Sequence, residues 1–210
     1  MTDGPTTPPP SASGSSFMTR AINILTKPAS EWQAIDGEAT SVGKLILGYA
    51  AILALIAPIA MLLNLLLTPF GSYIFGAAGI LLKMLLIIYA LALATPVLLG
   101  FAIDLLAPSL GGTRNSVQSM KLAIYAGTAF WVAAVALIIS PWLWVVGGIG
   151  YGGYLIWLGL PILMKVPADK APGYTAAVIG IWVVLWIILQ QIAWRLMWAG
   201  VVSSLTGGLM

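Results

Sequence analysis

Three ionisable side chains fall inside long apolar segments: Lys83, Asp104 and Arg195. A charge in hydrocarbon is costly, so each is a functional suspect by default. Long side chains near span ends can snorkel to the interface, which offers a plain anchoring role for Lys83 and Arg195. Asp104 cannot reach Lys83 along one helix, because the 21 residues between them correspond to about 32 Å of rise. Its partner must come from elsewhere. The sharpest grouping is Asn64, Lys83, Gln190, Gln191 and Arg195, all expected in the same half of the membrane. Gln191 and Arg195 share a helical face at i, i+4. With two cations and no carboxylate, such a cluster would hold an anion such as a lipid phosphate, or form a polar groove. The competing and preferred reading is interhelical hydrogen bonding that holds a bundle together, worth about 1 kcal/mol per contact.

Catalytic chemistry has little to draw on. Cysteine and histidine are both missing, which removes the thiol nucleophile, the thiolate and imidazole metal ligands and the commonest general base. Six carboxylates remain, Asp3, Glu31, Asp36, Glu38, Asp104 and Asp169, and only Asp104 sits within a span. A paired-carboxylate site inside the membrane cannot be assembled from one carboxylate. The run GGIGYGG (147–153) lies in an apolar segment with no following Lys-Ser or Lys-Thr, so it is no phosphate-cradling loop. The sequence therefore predicts no enzyme, no metal and no cofactor. A net charge of +3 without a clustered basic face argues against a nucleic-acid partner.

These residues are carried by a chain that is 60% hydrophobic and 7% charged, with mean hydropathy +1.03, where a soluble domain carries about 25% charged residues. It predicts an all-α, polytopic integral membrane protein with a five-helix transmembrane bundle over 44–199. The expected spans are Leu45–Leu67, Ile74–Leu106, Met120–Ser140, Trp142–Met164 and Tyr174–Trp198. The third and fourth form a hairpin turned at Ser140 and Pro141, with Lys121, Lys165 and Lys170 at its open end. Pro58 and Pro96 should bend the first and second spans. Gly148 and Gly152 in the fourth have the separation that lets helices approach closely, within this chain or between copies. Trp182, Trp186, Gln190, Trp194 and Trp198 follow one ridge of the fifth, read as packing or lipid-facing.

Ahead of the bundle, residues 1–16 are rich in Pro, Ser, Thr and Gly and predict a disordered tail. Residues 17–43 predict amphipathic helices along the cytoplasmic interface, with Phe17, Arg20, Lys27 and Trp32 as contacts to head groups or a partner. Pro28 suits the first turn of the second of these. Basic residues set the topology. Arg20, Lys27, Lys44, Arg114, Lys121, Lys165 and Lys170 flank the spans on one side, and the loops and tail of the other side, including 200–210, contain none. The amino terminus is thus expected in the cytoplasm and the carboxyl terminus outside. No internal repeat is found.

Two regions together resemble the Ypt-interacting-protein (YIP) domain family. ILTKPASEWQAIDGE, Ile24 to Glu38, is similar to the family's pre-membrane lead in Pro28, Trp32, Ile35 and Glu38. Met120 to Val135 and Ile139 to Ala171 are similar to its third and fourth spans in Tyr125, Trp131, Pro141, Tyr154, Gly159, Met164-Lys165 and Lys170-Ala171. Ala129 stands where members commonly have proline, and the Asp-Leu-x-Gly-Pro motif of eukaryotic relatives is only echoed, elsewhere, by Asp104 to Pro108. The resemblance implies a five-span protein with a cytoplasmic amino terminus, of bacterial inner-membrane type. The expected role is non-enzymatic: organising membrane or partner proteins through the cytoplasmic segment. The alternative is a lipid or small-solute translocator built on the outer polar cluster. Expected partners are the bilayer, other membrane proteins or a second copy.

Overall fold

The computed structural model describes residues 16–68 and 78–207; the tail over 1–15, the turn around Pro69 to Tyr73 and the expected start of the second span at Ile74 lie outside them. Every regular element among the described residues is helical. Two short helices lead in, α1 (Phe17–Thr26) and α2 (Pro28–Gly37). Ser16 caps α1 by accepting from the Thr19 N–H at 3.3 Å, and Pro28 occupies the first turn of α2, where a missing N–H costs nothing. Five helices long and apolar enough to cross a bilayer follow: Val42–Leu67, Gly79–Leu106, Ser116–Ile138, Pro141–Leu163 and Ala171–Trp198. The last continues to Gly207, beyond the end expected at Trp198.

The third span is the centre. It is buried without a break from Ser119 to Ala129, with the second and fourth spans packed against it. Glycine sets that closeness on the fourth span. A Cβ on Gly148 would stand 2.7 Å from the Phe130 ring, and one on Gly152 would collide with the Trp182 ring and stand 3.3 Å from the Ala126 carbonyl. Gly148 and Gly152 thus both face neighbouring spans of the same chain.

At three irregular places a carbonyl without its helical partner is supplied by an aromatic side chain of the next span. In the first span, one turn before Pro58, Leu55 bonds Ile52 at 3.3 Å instead of Ala51. The Tyr89 hydroxyl donates to the freed Ala51 carbonyl at 3.1 Å. Pro96 cannot bond Ala92, and the Trp131 indole N–H donates to that carbonyl at 3.2 Å. The third span tightens to a 3-10 turn over Ala134–Ile138, so Ala134 bonds Trp131 rather than Phe130. Trp144 then donates its indole N–H to the Phe130 carbonyl at 3.0 Å. In hydrocarbon no water can do this work, so a protein donor must.

α1 and α2 pack along the bundle. Leu25 meets Tyr151, whose hydroxyl donates to its carbonyl at 2.6 Å; Trp32 meets Gly159; Asp36 meets Lys165. Tyr151 precedes Leu163, the end of its span, by 12 residues, about 18 Å of helix. α2 therefore runs beside the second half of the fourth span, and Ile24, Trp32 and Ile35 are fully buried.

Candidate functional site

On α1, Phe17, Arg20, Ala21 and Ile24 recur at i, i+3, i+4 and i+7, so the apolar stripe that must be covered contains an arginine. On α2 and its cap, Glu31, Ile35 and Glu38 share a stripe at the same spacing. Folding α1 and α2 onto the third span brings the two stripes together. The Arg20 guanidinium bonds Glu31 at 2.6 Å, bonds Glu38 through its other terminal nitrogen, and lies 5.7 Å from the centre of the Tyr125 ring. Arg20 is 5% exposed and Glu31 7%. A charge so enclosed persists only when paired and hydrogen-bonded, and here it is both.

A second cation completes the site. Lys121, at the start of the third span and buried, donates to the Ile35 and Glu38 carbonyls at 2.7 Å each. These are the exposed carbonyls at the end of α2, where the helix dipole favours a positive group. Around the rim, Lys165 bonds Asp36 at 2.6 Å, and Gln118 donates to the other Asp36 oxygen at 2.9 Å. Arg20 and Lys121 match Glu31 and the part-buried Glu38 in number, so these four formal charges sum to zero. An aromatic chain underlies them: Phe17 to Tyr49 at 5.4 Å, Tyr49 to Tyr125 at 4.8 Å, Tyr125 to Trp32 at 6.5 Å between ring centres. The Tyr49 and Thr128 hydroxyls share a hydrogen bond of 2.8 Å beneath it. With its charges paired in place, this arrangement fixes a pose.

The residues expected to matter are placed differently from one another. Arg20 and Trp32, read as contacts for head groups or a partner, are buried and belong to the packing of α1 and α2, because their stripe is the one the bundle covers. Phe17 stacks on Tyr49, and Lys27 alone of the four is exposed. Asn64 donates to the Leu137 carbonyl at 3.1 Å, an interhelical bond between the first and third spans. Lys83, Gln190, Gln191 and Arg195 are exposed, and no described hydrogen bond joins any two of the five residues of that cluster. Asp104 has its partner in Arg114, at 3.1 Å. Sequence reasoning missed Glu31, Glu38 and Lys121. The available signal was a charged residue inside an apolar stripe on each of two successive helices.

Comparison with known proteins finds that the family model described as Yip1 domain matches residues 22–205. No curated protein and no solved structure matches the chain.

Proposed function

Because the chain belongs to the Yip1 domain family, whose model takes in all five spans and most of the lead segment, we propose that this multi-pass membrane protein is a non-enzymatic organiser. It recruits membrane or partner proteins through the outward side of α1 and α2. The observation that carries the reading is the buried Arg20–Glu31–Glu38–Lys121 network. It holds the lead segment in one pose, as a docking platform requires and a loose tether does not. Against that fixed inner side, Met18 and Ile22 form an exposed apolar pair at i, i+4, with Lys27 beyond them. In this reading the platform faces the cytoplasm, the side the basic residues favour, and the membrane is a bacterial inner membrane.

The test is photocrosslinking in native membranes from a probe replacing Ile22, with a second probe replacing Gln190, followed by mass spectrometry. A discrete protein adduct at position 22, with bulk lipid at 190, is expected. A selective lipid or solute adduct at 190 with no protein at 22 would overturn the organiser reading in favour of translocation. Since the chain has no cysteine, single cysteines at positions 27 and 205 report the orientation in the same membranes.

A further inference from the structure

A second polar site lies away from the lead segment, at the end of the second span. Asp104 is 7% exposed, and its Oδ1 is enclosed without a partner. The compensation of this buried carboxylate therefore falls on Arg114, which bonds Oδ2 through Nε at 3.1 Å. Binding through Nε leaves both terminal nitrogens of the guanidinium unspent; among the described hydrogen bonds Arg114 makes no other. Its side chain is 62% exposed. The loop beneath it is held from both sides, the Gly112 N–H on the Ala107 carbonyl and the Thr113 N–H on the Met164 carbonyl, each at 2.7 Å. Gly111 makes the turn at φ +83°, where a side chain would be strained. The guanidinium is thus presented, not merely present.

It is presented into an open cleft of about 580 Å³ lined by Phe101, Asp104, Leu105, Arg114, Asn115 and Ser116. The Asn115 Oδ1 caps the third span, accepting from the Val117 and Gln118 N–H groups at 3.2 and 3.1 Å, which holds its amide NH2 beside the cleft. Arg114 is the charged donor with capacity to spare. Leading up the second span from the cleft, Leu105, Phe101 and Leu98 are exposed at helical spacing and make one apolar ridge. The ligand the cleft fits has an anionic head for two parallel N–H donors and an apolar chain for the ridge.

We propose that this cleft binds the phosphodiester of a membrane phospholipid, with an acyl chain along Leu105, Phe101 and Leu98. The singly charged diester fits better than a dianionic monoester, because Asp104 already cancels the arginine charge. The site uses no residue of the lead segment and stands or falls separately from the organiser reading.

The test is native mass spectrometry of the full chain in detergent micelles, titrated with palmitoyl-oleoyl phosphatidylethanolamine, the matching phosphatidylglycerol and the matching diacylglycerol. One tightly retained phospholipid of either headgroup and no retained diacylglycerol are expected. Arg114→Gln should weaken retention at least about tenfold, the loss of one bidentate charge-assisted contact. Arg114→Gln combined with Asp104→Asn strands no carboxylate and should lose the lipid equally while remaining folded. Lys44→Gln, an exposed cation elsewhere, should change nothing. Equal retention of diacylglycerol, unchanged binding in the double variant, or the same loss in Lys44→Gln would each overturn the proposal. Displacement of the lipid by equimolar inorganic phosphate would assign the cleft to a soluble phosphate instead and overturn the lipid assignment.

Discussion

Replacing Arg20 with methionine removes one cation from an enclosed site and leaves Glu31, itself 7% exposed, with no counter-ion in reach. Breaking a buried ion pair from one side costs about 3 to 5 kcal/mol, most of it the penalty of the stranded charge. The lead segment can escape that penalty without unfolding the spans, by lifting off the bundle. What opposes lifting is the burial of Ile24, Trp32 and Ile35, at about 1.5 to 3 kcal/mol each and so at most roughly 9 kcal/mol together. The two estimates decide the outcome. Arg20→Met should leave α1 and α2 docked in most molecules but raise the lifted population by two to three and a half decades, at about 1.4 kcal/mol per decade. Hydrogen exchange on the protein in nanodiscs reads this directly, as a fall of that size in protection over residues 17–37 with the third span unchanged. Arg20→Met combined with Glu31→Leu and Glu38→Gln removes the stranded carboxylates and should recover most of the protection, since apolar replacement of a buried ion pair is often neutral or stabilising. Unchanged protection in the single variant, or a triple variant no better than the single, would refute the reasoning.

Two further outcomes follow from the bundle. Trp131→Phe should destabilise by about 1 to 3 kcal/mol, the cost of leaving the Ala92 carbonyl unpaired; adding Pro96→Ala supplies a backbone N–H for that carbonyl and should recover much of the loss in thermal melts. Gly152→Ala meets the Trp182 ring and the Ala126 carbonyl and should cost about 1 to 3 kcal/mol, whereas Gly147→Ala has open space around it and should be neutral or stabilising by up to about 1 kcal/mol, measured in the same melts.

The spans were legible because hydropathy and length report burial in lipid directly, and the Ala92 carbonyl lacking a backbone donor because Pro96 has no N–H to offer it. The central hairpin was legible for the same reason, with Ser140 and Pro141 making its turn. The lead segment was harder. An apolar stripe on a short helix says that something covers it, and both a bilayer surface and a protein groove can do so. Arg20 decides between them only when set beside Glu31 and Glu38, 11 and 18 residues away, whose pairing exists once α1 and α2 have folded back on each other. The residues grouped as one polar cluster show the opposite limit: Asn64 bonds the third span while Arg195 is exposed, since periodicity fixes a face only relative to its own helix.

The aromatic repairs carry a consequence for how the chain is built. The Ala51 carbonyl of the first span is satisfied from the second by Tyr89, the Ala92 carbonyl of the second from the third by Trp131, and the Phe130 carbonyl of the third from the fourth by Trp144. Each of the first three spans thus enters the membrane with a backbone oxygen whose donor is encoded in the next span to be made. Synthesis and satisfaction run in the same direction, so the second, third and fourth spans each complete their predecessor.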